Sequence, residues 1–517
     1  MAHQPLLESL YQDGPAVYKA ISVLLVLATV LYIHSRSAVK DVSRFPLIGQ
    51  NVGGFSKRRR YFVNHALELF LEGYLKFKDS VWRVTSTDGE VLVLPLRYAE
   101  ELRELPEDVV SSNAANEMTF ETKLLGITPD NPLMVHVVKS DLTHNLSQIN
   151  ASLALEVSRT VSDEIGLCED WTEINISQKL LKIVAIVSGH VFLGPDLCRR
   201  EEYLHASIDF TVDLFIAIAA LKRWPKSLRF AAKYWIPQLK TVNEHRRRVH
   251  EFLVPILRER RALRAKGEEP PKDMLQWLLD KSDQFNVRTD EELAETQLIL
   301  GMAAIHTTTM TATQIIYDLI GYCPEVIPEL RAEIRSVQAT NGGVMTTQAL
   351  YQMKLLDSVM RESQRQNPSN IVRMQRCVLK PVRFSDGTEI PAGTSVAVPA
   401  LPTLQDPKLY SDPSSYDPHR FARLRAGQSQ DPINYASKEL YQFISVTKEN
   451  MGFGYGRHAC PGRFFAANEI KMICARIILD YDIKMPDGIK ARYPNAVRGS
   501  SITPDRTKTI MVRKVAA

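Results

Sequence analysis

Hydrophobic positions along the chain follow three patterns. From Ala16 to Ile33 they run almost unbroken, interrupted by Lys19, Ser22 and Thr29. Those 18 residues in a helix rising about 1.5 Å per residue would span roughly 27 Å, close to the hydrocarbon thickness of a bilayer. An N-terminal transmembrane helix is therefore predicted, with Lys19 near enough to its start to snorkel to the interface. From about 145 to 265 the apolar spacing is helical, ending in the basic stretch His245 to Arg264. Glu291 to Tyr322 also reads as helix, apolar all round in its middle and so expected to be buried. The third pattern is short and strand-like. Val81 to Val84 and Val91 to Leu94 flank Asp88-Gly89, a tight-turn pair, and predict a β-hairpin. Phe384-Ser385-Asp386-Gly387-Thr388 marks a second hairpin, and Tyr481 to Met485 with Thr509 to Val512 add further strands. Lys266 to Pro271 is a surface loop by composition. The expected fold class is mainly α with a minor antiparallel β component. The expected organisation is a membrane anchor over 1–35, a basic, proline-containing linker over 36–60, and one large domain over 61–517.

Charge decides which side of the membrane that domain occupies. Glu8 and Asp13 precede the apolar run, while Arg36, Lys40, Arg44 and Lys57-Arg58-Arg59-Arg60 follow it. The positive-inside rule then puts the body of the protein in the cytosol. A cleaved signal peptide is the alternative, but its apolar core would be shorter and preceded by basic residues. The sequons at Asn145, Asn150 and Asn175 are accordingly expected to carry no glycan. Overall, 64 basic and 59 acidic residues leave a formal charge of +5, which is no footprint for nucleic acid. The six cysteines are scattered with no CxxC pair, which argues against a disulfide scaffold or zinc module and for a reducing compartment.

The most informative stretch is Phe453-Gly454-Tyr455-Gly456-Arg457-His458-Ala459-Cys460-Pro461-Gly462-Arg463. It is a glycine-dense loop leading into an amphipathic helix, Arg463 to Leu479. Pro461 suits a first helical turn, where its missing N–H is no loss. A cysteine at such a start is favoured as thiolate, the form that binds iron, by the helix dipole and free backbone N–H groups. The three glycines would let the backbone approach a flat cofactor. Two blander readings compete. A lone cysteine is usually an inert buried side chain. Gly454-x-Gly456-x-x-Ala459 also fits a loose dinucleotide fingerprint, with Asp480 about twenty residues on, but Thr447 to Met451 is a poor preceding strand.

The loop resembles the haem-binding signature F-x-x-G-x-R-x-C-x-G of the cytochrome P450 superfamily. Phe453, Gly456, Cys460 and Gly462 match in register, and His458 stands where the family has an arginine that pairs with a haem propionate. The resemblance implies haem b with an axial thiolate from Cys460, in a cytochrome P450 fold preceded by the membrane helix. Glu362 and Arg365 match the family's E-x-x-R, and Arg420, in Pro418-His419-Arg420-Phe421, matches its P-x-R-F. By resemblance these three form a buried charged triad supporting the cysteine loop. Arg376 matches an arginine that reaches a propionate, with Arg373 the less favoured candidate. In the long helix, Ala303-Ala304-Ile305-His306-Thr307-Thr308 resembles the oxygen-activating A/G-G-x-D/E-T-T. That implies a catalytic Thr307 facing iron-bound dioxygen, with His306 replacing the usual acid as proton relay. A bland reading stands beside it, since threonines in buried helices usually bond back to the preceding turn. The family's W-x-x-x-R is not recognisable between Leu133 and Leu146, where Lys139 lies.

These motifs occur in the family's order over roughly residues 300 to 465. The particular variants look like filamentous-fungal, ent-kaurene-oxidase-like members of secondary metabolism. The resemblance implies a monooxygenase of the endoplasmic reticulum membrane, single-pass, with its haem-thiolate domain in the cytosol. It would oxidise a hydrophobic terpenoid (diterpenoid, meroterpenoid or indole diterpene) with O2 and electrons from an NADPH-cytochrome reductase. Phe120 to Ile127 and Phe210 to Leu221 are plausible pocket walls, and Arg463 and Lys471 plausible contacts for an acidic reductase. The other readings are a haem-thiolate isomerase or dehydratase needing no reductase, and a non-catalytic membrane interaction protein.

Overall fold

Trp82 organises the first sheet. Its indole is buried against Gly73 of the opening helix Phe55–Phe77, where an added Cβ would meet the ring at 2.4 Å. In this computed structural model, which describes Ser22, residues 42–128 and residues 131–515, Trp82 begins the hairpin Trp82–Ser86 and Gly89–Val93. The turn falls on Thr87-Asp88, one residue earlier than Asp88-Gly89 predicts, and Gly89 opens the second strand with φ +134°. The predicted membrane anchor lies outside the described residues. The basic run 57–60, assigned to a linker, is instead part of the first helix: Arg58 Nε donates to Thr85 Oγ1 at 2.8 Å and Arg59 Nε to Thr87 O at 2.9 Å.

The hairpin sits in a six-stranded sheet ordered Leu47–Ile48, Trp82–Ser86, Gly89–Val93, Ser395–Pro399, Val372–Val378, Val110–Ser111. This sheet is mixed rather than antiparallel, because Leu47–Ile48 and Ser395–Pro399 each pair in parallel with the hairpin. Parallel partners are joined by long connections, here some 300 residues for Gly89–Val93 and Ser395–Pro399, so local pattern cannot reveal them. The chain's last strands do follow expectation. Tyr481–Lys484 and Ile510–Lys514 pair antiparallel, and Thr172–Ile174 extends them. The second hairpin forms around Asp386-Gly387, with Val382–Arg383 against Glu389–Ile390.

Apart from a short antiparallel pair, Ala496–Arg498 with Ser501–Thr503, the other regular elements among the described residues are helical. Thr143–Ile165, Ile176–Phe192, Glu201–Leu221 and Pro237–Ala265 surround Asp290–Tyr322, the long helix, and Arg463–Asp480, the cysteine helix, around one large apolar core. The long helix starts with a capping box: Thr289 Oγ1 accepts from Glu292 N at 3.1 Å and the Glu292 carboxylate accepts from Thr289 N at 3.2 Å. Among the described residues one helix, Glu201–Leu221, is long and apolar enough to cross a membrane, but half of its apolar window is buried and it packs on Pro237–Ala265 and the long helix. Of the sequons, Asn150 is fully buried against Thr347 Oγ1 at 3.0 Å, so a glycan has no room there.

Candidate functional site around Cys460

Left-handed backbone shapes the cysteine loop. Gly454 has φ +81° and Gly456 φ +69°, conformations that cost an L side chain strain. A Cβ on Gly456 would also meet Arg103 Cβ at 2.8 Å. The loop's own path therefore requires glycine at both positions. Cys460 N donates to Phe453 O at 2.7 Å, closing the loop, and the Phe453 ring meets Phe443 edge-on at 5.1 Å. Pro461 and Gly462 form the turn before the helix, which begins at Arg463. The backbone N–H groups of Gly462 and Arg463 point at the Cys460 sulfur. Burial nevertheless dominates and pushes the thiol up, against those N–H groups and the charges of Arg463 and Arg373. The helix start alone therefore does not make the thiolate; a bound metal ion would, since coordination deprotonates a thiol outright.

Of the other described cysteines, Cys168 and Cys377 are partly exposed like Cys460, and the remaining three are not. Cys198, Cys323 and Cys474 are buried. Burial pushes the Cys323 and Cys474 thiols up to about 12 and that of Cys198 to about 11. Cys460 is partly exposed, on a glycine loop with two converging N–H donors. That donor set fits haem iron.

The long helix supplies a second open face. Ala303 and Thr307 are exposed one turn apart in a helix whose other residues around them are buried or half-buried. Thr307 Oγ1 donates back to Ala303 O at 2.7 Å and lies 3.2 Å from Ala304 O. Thr309, Thr311 and Thr313 repeat this back-bonding at 2.8 to 2.9 Å. The hydroxyl is therefore on the open face but engaged with its own helix. His306 is on a different face, because consecutive helical residues are about 100° apart. It is 6% exposed, with Nε2 2.9 Å from Ile208 O in Glu201–Leu221. His306 is thus turned toward Glu201–Leu221 and away from the face that carries Thr307.

Behind the loop lies a buried ionic cluster. Arg365 grips Glu362 with Nε to Oε2 at 2.8 Å and Nη2 to Oε1 at 2.7 Å, and Arg420 Nε reaches the same oxygens at 3.1 and 3.2 Å. The backbone N–H of Asp417 adds a bond at 3.0 Å, and carbonyls of Leu404, Pro413 and Ser415 accept from Arg365. Glu362 is fully buried with both carboxylate oxygens bonded, while backbone carbonyls take up the other guanidinium N–H groups of its two arginines. The same helix, Lys354–Gln366, reaches the cysteine loop through residues that sequence reasoning missed. Gln364 lies against Gly452, where a Cβ would meet its side chain at 2.1 Å, and accepts from Asn450 Nδ2 at 3.3 Å. Asp357 accepts from Lys471 Nζ at 2.8 Å and from Phe443 N at 3.1 Å. Lys471 is thus buried in an ion pair, which corrects its expected place on a reductase-facing surface. No local signal singles out Gln364 or Asp357, since their partners are about 90 to 110 residues away in sequence.

The candidate propionate residues divide into two sets. His458 Nδ1 is 3.2 Å from Ser112 Oγ and Nε2 is 3.4 Å from Glu107. Burial pushes the Glu107 carboxyl up, but the Asn113 N–H, the Ser111 hydroxyl and the charges of His458 and Arg376 hold it below its ordinary value. Arg376 and His458 are therefore brought together. Arg373 lies elsewhere, donating to Ser369 Oγ at 2.7 Å and Gly452 O at 3.2 Å, and its charge acts on Cys460. A β-bulge at Met374, with φ +51°, separates the two arginines.

A helical body with a cysteine on a glycine loop and a buried Glu-Arg-Arg cluster is what the resemblance to haem-thiolate enzymes implies, and comparison with known proteins agrees. The family described as Cytochrome P450 matches residues 139–511. Cytochrome P450 monooxygenase braC of Annulohypoxylon truncatum is 35% identical over 91% of this chain and 92% of its own length. Cytochrome P450 monooxygenase olcJ of Penicillium canescens is 36% identical over 91% and 88%, and paxP of Penicillium paxilli 34% over 89% and 87%. The chain belongs to the cytochrome P450 family. It is a monooxygenase carrying haem iron on a cysteine thiolate, with O2 and a redox partner as co-reactants.

Proposed function

We propose that Cys460 would hold the haem iron through its thiolate and that the chain oxidises a hydrophobic secondary metabolite of the terpenoid class, using O2 and electrons from an NADPH-cytochrome reductase. The observation that carries the ligand assignment is the cysteine loop. Cys460 closes a glycine loop through its own N–H to Phe453 O, sits just before the helix Arg463–Asp480, and has the N–H groups of Gly462 and Arg463 favouring its thiolate. The terpenoid class rests on the resemblance of His458-Ala459-Cys460-Pro461 and Ala303-Ala304-Ile305-His306-Thr307 to ent-kaurene-oxidase-like enzymes.

When bound, haem supplies one-electron transfer and the activation of dioxygen. The chain's own residues do the rest. Cys460 gives its sulfur to the iron, with Phe453 and Gly456 shaping the loop around it. Arg376 and His458, with Ser112 beside them, would hold the haem propionates. Thr307 presents Oγ1 on the open face of the long helix, and rotation of its hydroxyl away from Ala303 O would place a proton there. Glu362, Arg365 and Arg420 are structural, fixing the helix on which the loop leans. The apolar run Ala16 to Ile33 anchors the protein in the endoplasmic reticulum membrane with this domain in the cytosol.

The carbon monoxide difference spectrum of the reduced protein tests the ligand. A thiolate-type Soret band is expected in the wild type and in Cys323→Ala, and is expected to vanish in Cys460→Ala. A band surviving Cys460→Ala would overturn the assignment. NADPH-dependent conversion of a terpenoid panel, in membranes containing the reductase, then tests the substrate class; turnover only of non-terpenoid metabolites would discard it.

A further inference from the structure

His306 joins two helices. Its Nε2 lies 2.9 Å from the carbonyl oxygen of Ile208. A backbone carbonyl has two lone pairs, so Ile208 accepts this bond without leaving the helical ladder. A carbonyl only accepts, which fixes Nε2 as the protonated nitrogen of the neutral ring. Burial holds the imidazole below its ordinary value; the Ile208 bond opposes that, Arg506 adds to it, and Asp209 opposes it. The ring is thus a neutral donor pointing out of the long helix into Glu201–Leu221.

The surroundings show why one bond matters here. Glu201–Leu221 meets the long helix through small groups: a Cβ on Gly301 would stand 3.6 Å from Ser207 Oγ. It is held to Pro237–Ala265 by other contacts, with His245 Nε2 2.8 Å from Asp213 Oδ2 and the Phe210 ring against His245. These two helices form a paired unit lying on the long helix. His306 belongs to the turn that presents Ala303 and Thr307 to open space, so a shift of the unit at Ile208 is a shift beside that space.

We propose that His306 is a positioning residue whose Nε2–H clasps Glu201–Leu221 onto the Ala303-to-Thr307 turn and so keeps water from the oxygen-facing side of the cavity. The proposal rests on the assignment of that face to oxygen chemistry. Without the clasp, water reaches the turn, and dioxygen with two electrons from NADPH and two protons leaves as hydrogen peroxide instead of entering product. The chemistry required at His306 is hydrogen-bond donation, not proton exchange.

Two substitutions separate these demands. Glutamine at 306 keeps a terminal N–H donor and cannot relay protons, whereas leucine keeps bulk and loses the donor. Full-length haem-loaded H306Q, H306L and H306A would be compared with wild type by hydrogen–deuterium exchange over 201–221, and by peroxide formed per NADPH consumed with reductase present. Exchange around Ile208 is expected to quicken about fivefold in H306L and H306A, matching a hydrogen bond worth ~1 kcal/mol. Peroxide yield should rise in step, while H306Q stays near wild type on both. H306Q behaving like H306L would overturn the clasp in favour of a proton relay, and unchanged exchange in both H306L and H306A would also overturn it. Should H306L fail to fold, H306A and H306Q still decide. A wild type without a thiolate-type carbon monoxide band would sink the oxygen-chemistry assignment, and the exchange comparison would still report on the helix contact.

Discussion

Glu469 is fully buried in the middle of the cysteine helix, with Oε1 accepting from Ser188 Oγ at 2.7 Å and Oε2 unpartnered. Burial raises its carboxyl to about 8, and the Ser188 bond opposes the rise only in part. The folded protein therefore holds a proton there that the unfolded chain releases near pH 4.3. Between about 4.3 and 8 the native state binds more protons than the unfolded one, so this group's contribution to stability falls as pH rises, by up to ~1.4 kcal/mol per unit. Glu469→Gln should flatten the loss, leaving a variant whose thermal midpoint at pH 8 exceeds that of wild type while the two converge near pH 5. Parallel midpoints across that range would contradict the assignment. Glu362 is buried as deeply but fully paired, so its removal works in the opposite direction. Glu362→Ala strands the Arg365 and Arg420 guanidiniums and should cost ~3–5 kcal/mol, read as a lowered unfolding midpoint and little haem-loaded protein. Of these two carboxylates the sequence distinguished only Glu362, through its spacing to Arg365. Nothing local marks Glu469, because its environment comes from Ser188, 281 residues away. His306 shows the same limit: its type and position could be read, but its direction depended on a helix about 100 residues earlier.

Elements with signals inside their own residues were the most legible. The long helix was read over 291–322 and spans Asp290–Tyr322, because an all-round apolar run has no other stable form at that length. Both hairpins were found from Asp-Gly pairs. Its cap was not read, although Thr289 and Glu292 carry the spacing of a capping box. That cap should be worth about 1 kcal/mol, so Thr289→Ala is expected to lower the thermal midpoint by a few degrees with the carbon monoxide band unchanged. A shifted or absent band would mean that the helix start, some 18 residues before Thr307, transmits its fraying to the site. Sheet order was not legible, because the parallel partners Gly89–Val93 and Ser395–Pro399 meet only in the finished fold. The same holds for the link between the Lys354–Gln366 helix and the cysteine loop, where the family spacing identified Glu362 and Arg365 but not Gln364 or Asp357.

At the scale of the whole molecule, the order of motifs from Ala303 to Arg463 carried the family from sequence alone, and the match over residues 139–511 extends it across most of the chain. Whether the apolar run Ala16 to Ile33 holds the domain at a membrane is a question for experiment. Among the described residues, Val42 and Phe45 pack against the apolar cluster that includes Tyr98 and Leu102, and Leu47–Ile48 pairs with Arg83-Val84. A chain starting at residue 40 keeps all of these contacts and loses the whole apolar run Ala16 to Ile33. Such a truncation is expected to retain the carbon monoxide band and the unfolding midpoint of the full-length protein, since the core contacts among the described residues are kept. The full-length protein should stay in the membrane pellet after alkaline carbonate washing, and the truncated one should move to the supernatant. Carbonate release of the full-length protein would discard the transmembrane reading of Ala16 to Ile33. Loss of the band on truncation would instead make that segment part of the catalytic fold.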